Sequence, residues 1–312
     1  MDSMNQLCQR TLRQKVSCTG IGLHSGARIT LTLNPAPANT GIRFVRTDLS
    51  PEVEIPALAD YVVDTRLATT IGKDGARIGT IEHLMAALFG LGIDNCRVEL
   101  DGPEVPIMDG SAAPFVYLIQ EAGIELQREM KRFLVIRNPV EVADGDKTAK
   151  FLPAPQLSIS FTIDFDHPLI SKQTFRMDFS DRFFHREIAR ARTFGFYEEV
   201  EMLKRMGLAR GGSLDNAIVV DDFSILNPDG LRYPDEFVRH KILDSMGDIS
   251  LLGMPVIGHL VAYKSGHALN HKLVTQVLSD ASCYEIVEAE ERTELERLDI
   301  RLPAWATAEK VA

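Results

Sequence analysis

The sequence predicts an α+β fold built as two similar domains, each a β-sheet layered with two α-helices and with a site between them. Three observations predict it. Polar and apolar residues alternate in short runs bounded by Gly, Asn and Pro. Each half runs strands, helix, strand, helix, a repeat of elements without identity of letters. A charged stretch, QREMKR, divides the halves, which gives an N-terminal domain over 1–128 and a C-terminal domain over 129–312. At 312 residues the chain has room for two such units.

The first half opens with strands, since ARITLTL and GIRFVR place apolar residues at every second position. TIEHLMAALFGLG then predicts a helix from about Thr80, with Thr as its cap, dense helix formers and a closing glycine. DNCRVEL reads as a strand and SAAPFVYLIQEAG as a second helix. In the second half RFLVIRNPVEV, AKFLPA, LSISFTIDF and TFRMDF read as strands. Two helices follow, roughly 234–253 and 267–281, separated by the strand PVIGHLVAYKS. The segment 184–220 carries an extra helix and an RGGS loop, and an insertion is expected near 195–220.

Bulk composition narrows the function classes. A net charge of -10 argues against a general nucleic-acid binder but leaves room for one phosphorylated small molecule, which a local pair such as Lys241 and Lys264 could hold. Cys8, Cys18, Cys96 and Cys283 are scattered, with no C-x-x-C pair, so neither a thiolate zinc site nor a disulfide framework is expected. The first twenty residues lack the apolar region of a signal peptide, and no apolar run approaches the roughly 20 residues that span a bilayer. A soluble, cytoplasmic protein with no integral membrane segment is the expectation.

Chemistry concentrates on two helices. His240, Asp244 and Asp248 fall at i, i+4 and i+8, so they share one helix face, and a metal could bridge the first two. A solvated polar face opposite Val238, Ile242, Met246 and Ile249 would have the same spacing. In the first helix Ile81, Leu84, Met85 and Leu88 form an apolar face, while His83 lies with Ala86, Ala87 and Gly90. Those small residues allow another backbone to come close, so His83 reads either as an interface ligand or as a core histidine bonded to a carbonyl. If the two helices meet, two imidazoles and one carboxylate make a three-ligand site with an open position, suited to Zn2+ and also to Fe2+. Glu82 points about 100° away from His83. It reads as a base for a metal-activated water or as an exposed acid at a helix start. His267 follows YKSG at a strand end and reads as a general acid, an oxyanion group or a surface histidine, with Asp248 placed to favour its cation. His24, His167, His185, His259 and His271 are read as structural.

Seven runs, GIGLHSG, TIEHLMAAL, PIMDGSA, ARTFGF, GGSLDNAIVV, EFVRHKILDSMGD and YKSGHALNHKL, together resemble the UDP-3-O-acyl-N-acetylglucosamine deacetylase family of lipid A biosynthesis. They stand in that family's order and cover about 9–279. The resemblance implies zinc held by His83, His240 and Asp244, Glu82 as general base, and His267 as a cationic acid or electrostatic group oriented by Asp248. It implies that Thr193 bonds the oxyanion and that Lys241 contacts substrate. Leu67, Val200, Gly212, Ser213, Ala217 and Val219 would line an acyl-chain passage. Phe194 and Phe196 would pack on sugar or uracil, and Lys264 would meet phosphate. The implied reaction is hydrolysis of the 2-acetamido group of a UDP-linked acylated amino sugar to amine and acetate, the committed step of lipid A synthesis in a Gram-negative cytoplasm, by a monomer. Two rivals stand beside it. Another N-acyl sugar amidohydrolase would keep the ligands and change the passage, and substrate competition separates it. A catalytically silent binding module would carry no tightly bound divalent metal.

Overall fold

The computed structural model describes residues 7–288, 300–301 and 305. Residues 1–6, 289–299, 302–304 and 306–312 lie outside the described residues.

Two five-stranded sheets carry the fold, and they share one strand order. In the first, Val16–Ile21, Arg28–Pro35, Cys96–Leu100, Ile42–Arg46 and Val53–Pro56 lie side by side, paired antiparallel, antiparallel, parallel and antiparallel. In the second, Val140–Asp144, Lys147–Leu152, His259–Tyr263, Ser158–Asp164 and Lys172–Asp178 repeat that pattern. The alternation read from ARITLTL is real: Ile29, Leu31 and Leu33 are buried while their neighbours are not. Helices α1 (Glu82–Gly90) and α2 (Ala113–Ala122) belong to the first half. After the single turn α3 (Asp181–Phe183) and the surface helix α4 (Tyr197–Arg205), the second half contributes α5 (Glu236–Ile249) and α6 (His267–Ser279). Helices α1 and α5 pack on each other at the centre of the molecule.

Three local expectations change. Thr80 does not cap α1: it sits at φ 56° and its hydroxyl donates to Glu104 Oε1 at 2.9 Å, and the helix starts at Glu82 without a side-chain cap. The charged stretch that divides the halves is mostly strand, since Ile124–Met130 pairs antiparallel with Cys8–Leu12; a two-stranded surface ribbon tolerates charge on its outer face. The single strand expected before α6 is split at Gly258 (φ 158°) into Val256–Ile257 and His259–Tyr263, which serve different sheets. A residue added there would press on Ile136, so glycine makes the switch possible. The extra segment forms the parallel pair Phe194–Phe196 and Ile218–Val220 around α4.

Candidate active site

Helices α1 and α5 approach closely because a glycine lies at their contact. A Cβ on Gly247 would stand 2.2 Å from the Glu82 carbonyl oxygen, so no larger residue fits without separating the helices. This contact brings the first turn of α1 against the face of α5 that carries His240, Asp244 and Asp248. All five side chains, Glu82 and His83 included, are buried, which rules out the exposed-acid and wet-face readings.

His83, His240 and Asp244 each present a ligand atom, all within 4.8 Å of one another. Asp244 Oδ1 lies 3.1 Å from His240 Nε2 and 3.6 Å from His83 Nε2, and the two rings meet edge to face at 4.9 Å. The Ala191 carbonyl accepts from His240 Nδ1 at 3.0 Å, which leaves Nε2 aimed at the cluster. Asp244 Oδ2 accepts from Lys241 Nζ at 2.7 Å, whereas Asp244 Oδ1 and His83 Nδ1 are buried without a hydrogen-bond partner. A buried carboxylate oxygen with no donor, facing two imidazoles, is what a cation would satisfy. Charge state agrees. Burial pushes His83 below the usual imidazole range, which leaves one ring nitrogen with a lone pair free to ligate. Burial opposes ionisation of Asp244, but His240, Lys241 and His83 outweigh it and hold the carboxyl well below its ordinary value.

Glu82 and His267 flank this cluster. His267, the first residue of α6, places Nε2 3.9 Å from Glu82 Oε1 and 4.0 Å from Asp244 Oδ2. Its Nδ1 bonds Asp248 Oδ2 at 3.0 Å. Burial pushes the Glu82 carboxyl up to about 7, against the pull of the His267 charge. For His267 burial works downward, yet Asp248 and Glu82, with the Asp248 hydrogen bond, carry it to about 10. The pair thus consists of a carboxyl poised near neutrality and an imidazole that stays cationic, a separation suited to proton transfer.

The remaining candidates divide by distance from the cluster. Thr193 is anchored by its backbone, N–H to the Gly110 carbonyl and C=O from Ile218, two residues from the Ala191 carbonyl that holds His240. Phe194 packs edge-on against His240 and Phe237, with Lys241 Nζ 5.7 Å from its ring. Phe196 lies further out, lining a groove of about 500 Å³ with Phe165, His167, Tyr197 and Val220. A Cβ at Gly195 would meet Val200 Cγ2 at 3.2 Å and one at Gly212 would meet Leu23 Cδ1 at 3.6 Å, and Ser213, Ala217 and Val219 follow on the same segment. Leu67 is 47 % exposed two residues before Thr69. Lys264 is engaged by Asp146 at 2.8 Å and lies 3.7 Å from Asp164, so a phosphate there would share the ammonium with two carboxylates.

The sequence of this chain matches the profile of one family, LpxC, UDP-3-O-acyl N-acetylglycosamine deacetylase, over residues 9–279. The chain belongs to this family. Among LpxC relatives, the UDP-3-O-acyl-N-acetylglucosamine deacetylase of Myxococcus xanthus is 68% identical over 96% of this chain and 95% of its own length. The protein of that name from Anaeromyxobacter sp. is 62% identical over 89% and 91%, and that from Idiomarina loihiensis is 54% identical over 96% and 99%.

Several residues at this site were not singled out by the sequence. Thr69, from the loop before the strand Thr70–Lys73, bonds both Glu82 and Asp248. Asn270 donates to Asp248 Oδ2 at 2.8 Å, and its place one helical turn beyond His267 could have drawn notice. Gly247 was legible in principle, because a glycine inside a helix signals close approach. Buried Arg192 bonds Glu236 through Nε at 2.9 Å and fixes the chain beside Ala191 and Thr193. No helix among the described residues is long and apolar enough to cross a membrane.

Proposed function

We propose that the protein is a zinc-dependent amidohydrolase that removes the acetyl group from the 2-acetamido nitrogen of UDP-3-O-(3-hydroxyacyl)-N-acetylglucosamine, releasing acetate and the free amine. The observation that carries this reading is the convergence, from two halves of the chain, of Glu82 and His267 on the imidazoles and the unpartnered carboxylate oxygen of His83, His240 and Asp244. The names of the relatives supply the substrate class. On this reading the reaction is the committed step of lipid A synthesis in a Gram-negative cytoplasm. The domains run over 1–128 and 129–312, and because one chain supplies the whole site a monomer suffices.

His83, His240 and Asp244 would hold the metal, and the unpartnered Asp244 Oδ1 fits that role. When bound, zinc supplies Lewis-acid polarisation of the amide carbonyl and activation of a water. The same donors suit iron(II). Glu82 has Oε2 engaged by the Thr69 N–H, which leaves Oε1 to accept the proton of the attacking water. Asp248 holds His267 through Nδ1, so Nε2 faces the reacting centre as a cation, where it balances the developing oxyanion or donates to the leaving amine. Thr193 would bond the oxyanion and Lys241 would contact the sugar. Phe194 and Phe196 would pack on sugar or uracil, and Lys264 would meet phosphate. Leu67, Val200, Gly212, Ser213, Ala217 and Val219 would line the acyl passage.

The test is acetate release from the UDP-linked acyl sugar by purified protein, before and after chelation and after restoring zinc or iron(II). Release that follows the metal supports the reading. No release by folded, metal-loaded protein redirects it to another N-acyl sugar.

A further inference from the structure

We infer that Thr69 is a positioning residue that couples Glu82 of one half to the Asp248–His267 pair of the other. It uses every polar group it has. Its backbone N–H donates to Glu82 Oε2 at 3.0 Å and its hydroxyl donates to Asp248 Oδ1 at 2.6 Å. Its carbonyl accepts from the Ile81 N–H, at the entry to α1, at 3.2 Å. The residue is 1 % exposed, so no water competes for these bonds.

The arrangement follows from the loop it sits in. Asp64 bonds Arg66 through side chain and backbone, Leu67 turns outward, and the chain then dives beneath α1 before the strand Thr70–Lys73. Thr69 therefore passes under the contact between α1 and α5. Glu82 arrives there on α1 and Asp248 on α5, and each turns one carboxylate oxygen toward the same residue. The other oxygens turn toward His267: Glu82 Oε1 lies 3.9 Å from its Nε2, and Asp248 Oδ2 accepts from His267 Nδ1 and Asn270, with Oδ1 also 3.2 Å from that Nδ1.

Two carboxylates serving one imidazolium repel each other and have many rotamers that satisfy it badly. Thr69 restricts both, since each loses an acceptor site to a fixed donor and so turns in register with the other. A direct bond between Glu82 and Asp248 is impossible while both are ionised. A hydroxyl and an N–H on one rigid residue replace it. The hydroxyl is short and charge-assisted, the kind of hydrogen bond that holds geometry.

This inference rests on the proposed roles of Glu82 and His267, so it is tested by two readouts. The variants are Thr69→Val, which keeps the shape and the N–H but removes the hydroxyl, and Thr69→Ser, which restores it. In the first readout, acetate release by metal-loaded protein, T69V is expected to lower kcat about tenfold with KM unchanged, T69S to recover it, and T69V to add little in an Asp248→Asn background. In the second, taken by NMR on protein without substrate, the downfield Nδ1 proton of His267, assigned by its loss in His267→Ala, is expected to shift or broaden in T69V and return in T69S. The NMR readout does not depend on the identity of the substrate. An unchanged resonance in folded T69V overturns the coupling whatever the enzyme acts on. Equal kcat for wild type and T69V, with Glu82→Gln inactive, overturns it while leaving the proposed function intact. A change in T69V resonance alongside a wild type that releases no acetate would uphold the coupling and refute the function.

Discussion

Gly247→Ala separates catalysis from stability most sharply. A methyl group at this position would stand 2.2 Å from the Glu82 carbonyl oxygen and 2.8 Å from its carbonyl carbon and Cα. The closest ordinary C···O approach is about 3.3 Å, so α1 and α5 must part by about 1 Å where Glu82 and His83 face Asp244 and Asp248. The contact is with backbone, which cannot swing aside. Overpacking of this kind destabilises by about 1–3 kcal/mol, while replacing glycine by alanine inside a helix returns about 1 kcal/mol. The net change in stability is therefore small, about 0–2 kcal/mol. Activity is not cushioned in the same way, since a shift of about 1 Å in reacting groups lowers rate about 100-fold. Urea unfolding, metal analysis and acetate release on the same preparation give the comparison. A Gly247→Ala variant with wild-type kcat would show that the helix contact does not set the site; a loss of activity matched by gross unfolding would show that it acts only through stability.

Three further outcomes are expected. Glu82→Gln should keep its metal and lose about 10²–10⁴ in kcat, because the base is removed while the ligands remain; metal loss on elemental analysis would contradict that division. His240→Ala should lose metal and activity together, and a folded variant with stoichiometric metal would remove His240 from the ligand set. The rate should be bell-shaped in pH. Glu82 must be a carboxylate to accept a proton, so rate rises through its value of about 7, or lower where a bound cation favours the anion. His267 must be charged, so rate falls through about 10. A pH profile of kcat/KM that stays flat from pH 5 to 11 excludes this pair.

Much of the fold was readable because it is written locally. Alternation in ARITLTL and LSISFTIDF marks strands facing a core on one side, and the apolar stripe Ile81, Leu84, Met85 and Leu88 marks a helix face. Local reading failed where a residue had a competing partner. Thr80 has the composition of a cap, but Glu104 claims its hydroxyl. Ile124–Met130 reads as a charged stretch rather than a strand because its strand partner, Cys8–Leu12, lies more than a hundred residues away.

The sequence by itself determined which residues could ligate, since His240, Asp244 and Asp248 share a face through helix geometry alone and the small residues beside His83 invite a neighbour. Tertiary structure decided that they meet. The approach of α1 and α5 over Gly247 turns an exposed-looking Glu82 into a buried acid poised near neutrality and gives His267 the two carboxylates that keep it charged. It also brings Thr69 beneath both halves. Burial and field at a point are sums over everything packed around it, and most of those neighbours are remote in the chain.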